Sequence, residues 1–152
     1  MSDVSAIAGC TCHRLRKLTR RITQYYDACL APAGLRVTQY SLLTSVVRGG
    51  PATMSSLAEL MEMDRTTLTR NLKPLADVGL VEIAPGEDSR SRVVAATARG
   101  RAASAAARGL WRRAQDDVNR ALGADRVAAL HATIEESLVR LKAHGAKRRR
   151  SG

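Results

Sequence analysis

Residues 53–79 constrain the fold most strongly, because they can be read as two short helices joined by a tight turn. Ser56 and Glu59 match a capping box, which predicts a first helix over about residues 57–61. Asp64 supplies the N-cap of a second helix, which should end at the glycine that closes the segment. This arrangement is typical of helix-turn-helix DNA-binding proteins.

The second helix has the pattern of a recognition helix. Leu68, Leu72 and Leu75 fall on one face and are expected to pack inward, and Pro74 predicts a kink. Arginine and asparagine on the other side can form bidentate hydrogen bonds to base edges. Two short amphipathic helices also occur in all-α cores, so a purely structural role stays open at this point. The predicted DNA-contacting residues of the helix pair are Ser55, Arg65, Thr66, Thr67, Thr69, Arg70, Asn71 and Lys73.

A β-hairpin is predicted directly after the helix pair. Residues 80–85 and 92–97 read as strands, and a polar turn separates them. Asp88, Arg90 and Arg92 lie at or beside the tip of this wing, where an arginine can enter a narrow minor groove. Since a carboxylate repels phosphate, Asp88 is expected to orient a neighbouring arginine by a charge-assisted pair. The alternative is an ordinary solvated turn.

Over almost its whole length the chain resembles the MarR (multiple-antibiotic-resistance) family of regulators. The resemblance rests on MDRTTLTRNLKPLADVGLVE, on the pair Asp88 and Arg90, and on the TARG that opens the next helix. It implies a mainly α fold with a small β-hairpin wing, in a homodimeric winged helix-turn-helix transcription regulator that is usually a repressor. It also implies that Arg70 and Asn71 read the major groove and that Arg90 enters the minor groove. Ser89 departs from the pattern, since many members carry a second arginine there.

Amphipathic helices flank this lobe on both sides. Apolar residues recur at helical spacing over 11–30, in the helix that Thr38 could cap, over 102–122 and in a last helix that carries Ile134 and Leu138. These stripes are too extensive for one small lobe to cover, which favours pairing with a second copy. We therefore expect one domain over 1–152, with a DNA-binding lobe at about 36–97, dimerisation helices at about 11–31 and 98–145, and a basic flexible tail at 146–152. A two-fold dimer predicts a near-palindromic operator.

The charge balance agrees with a nucleic-acid partner. The 152 residues carry a formal net charge of +11, which favours DNA through counterion release and would also suit an anionic membrane. No run of about eighteen apolar residues and no apolar signal-peptide core is found, so a cytoplasmic protein is expected. Because aromatic residues make up 3% of the chain, stacking on single strands is a poor fit and duplex DNA a better one.

The cysteines at the start of the first helix suggest a redox switch. Cys10 and Cys12 lie among basic residues, which favour a thiolate, and oxidation could bridge two subunits more easily than it could close a small ring within one chain. The alternative is that both are small apolar packing residues. One such cluster gives too few ligands for a closed zinc site, and no metal or cofactor is expected.

A small anionic effector, such as an aromatic carboxylate, is the second regulatory hypothesis, and the family resemblance implies it for many members. Its carboxylate would pair with basic side chains while aromatic rings line the apolar part of the pocket. The same arginines could equally be solvated and the same rings could belong to a dimer core. The candidate effector-binding residues are His13, Arg16, Arg20, Tyr25, Tyr26 and Trp111.

Enzymatic function is disfavoured by the sequence. It contains no phosphate-binding glycine loop, no nucleophile elbow and no zinc-protease helix, and its three histidines are scattered. A DNA-binding protein without sequence preference is the closer alternative. It would bind with an affinity that depends on salt and hardly on sequence.

Overall fold

The computed structural model describes residues 9–88 and 90–150, except for the side chains of 145–150. The described residues form ten elements, of which the last two follow the wing. They are α1 (Thr11–Leu30), a 3-10 turn (Ala31–Ala33), α2 (Val37–Gly49), β1 (Ala52–Thr53), α3 (Met54–Leu60), α4 (Arg65–Asp77), β2 (Val81–Pro85), β3 (Arg92–Ala96), α5 (Ala98–Leu122) and α6 (Ala124–Arg150). The predicted mainly α fold with a small β-wing is confirmed.

The chain divides into two compact units, residues 1–114 and residues 115–152. The first unit contains the hydrophobic core, which is built from the end of α1, from α2, α3 and α4, and from the wing. Burial of these aliphatic side chains is the main force that holds the short helices together. The largest fully buried side chains are Leu30, Leu42, Leu43, Val46, Leu57, Leu68, Leu72, Leu75 and Val94.

The starts of α2 and α3 differ from the sequence prediction. The α3 helix begins at Met54, because Thr53 is its N-cap and accepts a hydrogen bond from the Ser56 backbone N–H at 3.1 Å. The predicted capping role of Ser56 is therefore wrong. Thr38 lies inside α2 and does not cap it. An aspartate on α1 takes that role, since Asp27 Oδ1 accepts a hydrogen bond from Val37 N at 2.7 Å.

The wing is a three-stranded antiparallel sheet in the order β1-β3-β2. The predicted hairpin is confirmed, with Val81 opposite Ala96 and Pro85 opposite Arg92. Strand β1 was not predicted. It is two residues long and pairs Ala52 with Val94. A strand this short cannot show the alternation of apolar and polar residues by which strands are predicted.

The first helix, α1, agrees with the prediction, whereas the end of the last helix, α6, differs from it. The α1 helix has the expected bounds. The α6 helix runs to Arg150, so the backbone of residues 146–150, expected as a flexible tail, is helical. The side chains of that basic segment lie outside the described part of the chain, as do residues 151 and 152.

Candidate nucleic-acid interface

The α4 helix is firmly anchored to the core along one face. Leu68 and Leu72 are 0% exposed and Leu75 is 1% exposed, as their spacing predicted. Asp64 caps the helix, since its Oδ1 accepts from the Thr67 backbone N–H at 2.8 Å and its Oδ2 accepts from the Thr67 hydroxyl at 2.6 Å. These hydrogen bonds lower the pKa of Asp64, because they favour the ionised carboxylate. The helix continues past Pro74 and ends before Gly79, whose φ of 70° is left-handed.

The opposite face of α4 is polar and open to solvent. Its exposed residues include five that were predicted to contact DNA, namely Arg65, Thr66, Thr69, Arg70 and Lys73. The Thr69 hydroxyl donates to the backbone carbonyl of Arg65 at 2.8 Å, so towards a ligand it presents lone pairs. Lys73 Nζ lies 2.8 Å from Asp77 Oδ2 one turn further on, and both side chains are largely exposed. Such a surface pair is weak, so Lys73 remains available to a phosphate.

Three other predicted contact residues of the helix pair are placed differently. Thr67 is half-buried and its hydroxyl donates to the Asp64 cap. Asn71 is also half-buried, and its Nδ2 lies 3.6 Å from Met63 Sδ, a weak hydrogen bond that turns it towards the flank of α4. Ser55 is exposed in the first turn of α3.

The wing tip is ordered by Asp88. Its Oδ1 accepts from the backbone N–H of Arg90 at 3.1 Å, and its backbone carbonyl accepts from Ser91 N at 2.8 Å. The expected ion pair with an arginine side chain is not present among the described residues, because the carboxylate is turned to the backbone instead. Arg90 and Arg92 are exposed. Ser89, where the family resemblance departs, lies outside the described residues.

A close joint connects the end of α4 with the start of α5. The Thr97 hydroxyl donates to the Gly79 carbonyl at 2.7 Å and accepts from Gly100 N at 3.0 Å. Thr97 N also donates to the Leu80 carbonyl at 3.2 Å. Gly100 packs against Leu80 so closely that a Cβ atom would overlap its carbonyl oxygen. The first turn of α5 is therefore held by hydrogen bonds and close packing against residues 79 and 80, which directly follow α4.

A cavity of about 560 Å³ lies between α2 and the first part of α5; we call it the α2–α5 cavity. Tyr40 and Trp111 form its aromatic part, with ring centroids 6.0 Å apart. Thr44 Oγ1 and Ser104 Oγ are hydrogen-bonded at 3.1 Å within it. Among the described residues no acidic side chain lines it, and its basic residues are Arg48, Arg101, Arg108 and Arg112. An aromatic surface surrounded by guanidinium groups suits an aromatic anion.

Of the predicted effector-binding residues, Trp111 lines this cavity and the others do not. His13, Arg16, Arg20 and Tyr25 are exposed on α1. Tyr26 is 6% exposed, and burial, with a smaller effect from Cys29, raises its pKa. Within one chain these side chains therefore do not form the pocket that the sequence predicted.

The arginines of the α2–α5 cavity were not predicted as effector-binding residues, although their spacing in the sequence is informative. Arg101, Arg108 and Arg112 recur at steps of seven and four, which places them on one helix face. The approach of Tyr40 to Trp111 could not be foreseen, because it joins helices that are far apart in sequence.

The cysteines predicted as redox-active are accessible. Cys10 is the N-cap of α1 and Cys12 lies in its first turn, and both thiols are exposed and free. Among the described residues, no helix has the length and apolar character needed to cross a bilayer.

A helix pair followed by a three-stranded wing defines the winged helix-turn-helix class of transcription regulators. Within that class, residues 33–91 match the model of the MarR family. The chain is 38% identical to the transcriptional regulator MosR of Mycobacterium tuberculosis, solved in complex with DNA, with a TM-score of 0.72 over 85% of this chain and 98% of that one. A MarR mutant from Escherichia coli in complex with operator DNA is 25% identical, with a TM-score of 0.74 over 82% of this chain and 90% of that one.

A curated relative agrees with this assignment. The HTH-type transcriptional regulator YwoH of Bacillus subtilis, described as uncharacterised, is 31% identical over 85 residues, which are 56% of this chain. The match spans 62% of the length of YwoH. The chain belongs to the MarR family and is a winged helix-turn-helix transcription regulator.

Proposed function

We propose that this protein binds double-stranded DNA sequence-specifically, as a homodimeric repressor of a near-palindromic operator. The observation that carries the proposal is the polar face of α4, where Arg65, Thr66, Thr69 and Arg70 are exposed on a helix whose other face is fixed in the core. A helix that is already fixed in the core holds its side chains in register with the base edges. The backbone therefore loses little conformational entropy when the protein binds its preferred sequence.

Arg70 is the residue we assign to base reading in the major groove, supported by Asn71 at its flank. A bidentate contact from arginine to guanine contributes about 1–3 kcal/mol of discrimination. Replacement of Arg70 with alanine should therefore relax base preference at one position per half-site. Ser55 and Lys73 are assigned to the DNA backbone, since phosphate contacts fix orientation without reading sequence. The Thr67 hydroxyl already donates to Asp64 Oδ2, so Thr67 is assigned an indirect role, in which it fixes the start of α4. Unchanged affinity and preference in the Arg70→Ala variant would refute its role.

The wing is assigned to the neighbouring minor groove. Arg90 is exposed at the tip, and its backbone N–H donates to the Asp88 carboxylate. This hydrogen bond fixes the turn from which the Arg90 side chain extends. The negative potential of a narrow minor groove attracts such a guanidinium group. Arg92, at the start of β3, is assigned to the adjacent phosphates.

Dimerisation is supported by apolar side chains that a single chain leaves exposed. On α6, Ile134 is 37% exposed, Leu138 39% and Leu141 68%, and on α1 Leu15 is 49% exposed. We propose that a second copy covers them and that α1, α5 and α6 form the dimer. Two recognition helices related by a dyad then meet major grooves about 34 Å apart.

Regulation by an aromatic anion is assigned to the α2–α5 cavity. A ligand there contacts Arg101 and Arg108 near the beginning of α5, close to the Thr97 joint. Its binding would shift the first turn of α5 and so tilt the recognition helices away from the spacing the operator requires. A modest difference in ligand affinity between two dimer states is enough to release DNA.

Trp111, the single tryptophan of the chain, reports directly on this cavity. Titration with benzoate derivatives should change its fluorescence and lower operator affinity, and Arg108→Ala should weaken both effects. The matched control is Arg113→Ala, on the same helix and outside the cavity lining. Equal responses of the two variants would exclude this cavity as the effector site.

Oxidation of Cys10 or Cys12 is the second regulatory route we propose. It is supported by the exposure of both thiols at the start of α1, a proposed dimerisation helix. Peroxide would oxidise one thiolate to a sulfenic acid and be reduced to water; attack by a thiol of the second subunit would then form a disulfide, release a further water and change the dimer geometry.

Selection of bound fragments from sheared genomic DNA at near-physiological salt tests the whole proposal. Recovery of a few near-palindromic sites, preferred about a thousandfold or more over other DNA, would support it. Recovery of fragments that share no site would instead favour the alternative, a DNA-binding protein without sequence preference, or a regulator already silenced by a co-purified ligand.

A further inference from the structure

We propose that a second cleft, between the start of α2 and the flank of α4, holds one phosphate of the operator backbone, and that Arg36 is its clamp. This inference rests on the proposed function. The cleft, which we call the α2–α4 cleft, measures about 370 Å³. It is lined by Arg36, Thr38, Gln39, Arg70, Asn71 and Pro74.

The position of the cleft supports a DNA occupant. One wall is α4 at Arg70 and Asn71, the residues assigned to base reading, and the other wall is the first turn of α2. A helix with its side chains is about 10–12 Å across and the major groove is about 12 Å wide, so a helix in the groove brings its flank against the bounding sugar-phosphate strand. The cleft lies on that flank.

The charges of the cleft favour an anion. Two guanidinium groups, Arg36 and Arg70, line it together with the hydroxyl of Thr38, and no carboxylate of the residues that the structure describes is part of the lining. Within the described part of the chain neither arginine side chain makes an ion pair. Arg36 and Thr38 are exposed, so both are open to a ligand.

Local hydrogen bonds hold Arg36 in place and assign the contact to its side chain. Its backbone N–H donates to Gln39 Oε1 at 2.9 Å, and the next N–H, that of Val37, donates to Asp27 Oδ1 at 2.7 Å. The carboxylate of Asp27 thus occupies the end of α2. Because Asp27 already accepts from the Val37 N–H and its charge would repel an anion at that position, we assign the phosphate contact to the guanidinium group of Arg36 and the hydroxyl of Thr38.

Such a contact has a distinct role from that of Arg70. A phosphate contact positions the protein and carries no sequence information, whereas a base contact specifies the sequence. Arg36 would fix the distance between α4 and one strand, so that Arg70 reaches the same base edge in every complex. Loss of Arg36 should weaken binding to all sequences alike.

The first test is the salt dependence of binding, measured by fluorescence anisotropy on the selected operator and on a scrambled duplex. For Arg36→Ala the slope of log K against log salt should become shallower by about 0.9, the value for one phosphate contact. Affinity should fall by the same factor on both duplexes, and Arg36→Lys should restore the slope. The control is Arg21→Ala, an exposed arginine on α1 that is not in the lining of the cleft. If the slope for Arg36→Ala equals that for Arg21→Ala, the proposal is overturned.

The second test locates the phosphate. Operators with a single uncharged methylphosphonate, moved one position at a time, should show one position per half-site that weakens the wild type but not the Arg36→Ala variant. If every position that weakens the wild type also weakens the variant by the same factor, Arg36 is not the clamp. Failure of the proposed function looks different, because the wild type itself would then bind operator and scrambled duplex equally.

Discussion

Replacement of Gly100 with alanine tests how tightly the start of α5 packs on the end of α4. Gly100 is buried in the first turn of α5. An added Cβ atom would overlap the Leu80 carbonyl oxygen and would lie 2.9 Å from the Leu80 carbonyl carbon and 3.3 Å from Leu43 Cδ1. The first two atoms belong to the backbone, so the contact cannot be relieved by rotation of a flexible side chain.

The magnitude follows from two opposing terms. Alanine is favoured over glycine inside a helix by about 1 kcal/mol. Overpacking costs about 1–3 kcal/mol, and a clash with backbone belongs at the upper end of that range. We expect Gly100→Ala to lower the free energy of unfolding by about 1–2 kcal/mol. In Gly109→Ala, on the same helix, the new Cβ has nothing within 4 Å, so this control should gain up to about 1 kcal/mol.

Urea unfolding followed by circular dichroism measures both variants. All samples must share one protein concentration, because the stability of an oligomer depends on it. The midpoint of Gly100→Ala should lie below that of the wild type, and the midpoint of Gly109→Ala should lie at or above it. A Gly100→Ala protein as stable as the Gly109→Ala control would refute the close joint between α4 and α5.

Three further predictions concern the cap, the wing and the thiols. Because the pKa of Asp64 is lowered, its carboxylate contributes stability that is complete above the unfolded value of 3.8 and is lost as the pH falls through the folded value. The urea midpoint of the wild type should thus fall more steeply below pH 3.8 than that of Asp64→Asn, and parallel curves would contradict the cap. Arg90→Ala should weaken binding more at operators with A·T-rich flanks, whereas an equal loss with G·C-rich flanks would exclude minor-groove insertion. Peroxide should release DNA from the wild type but not from the Cys10→Ser, Cys12→Ser double variant, and equal sensitivity would remove these thiols from the mechanism.

Local interactions explain which features could be predicted from the sequence. The Asp64 cap, the leucine face of α4 and the hairpin depend on residues close to one another in the chain, so their spacing is visible in the sequence. The errors arise where the local pattern allows two alternatives and a contact remote in the chain decides between them. Thr53 and Ser56 are both good caps, and the sequence cannot choose between them, because the choice depends on where β1 pairs with β3.

The sequence by itself determined the helix-turn-helix, the β2–β3 hairpin of the wing and the polar face of α4, since each follows from the pattern of residues close together in the chain. The tertiary structure alone decided the two cavities and the joint at Thr97. Tyr40 meets Trp111, and Arg36 and Arg70 line one cleft, only because α2 contacts both the recognition helix and the first part of α5. Such contacts join residues that are remote in the chain, and no local pattern encodes the distance between them.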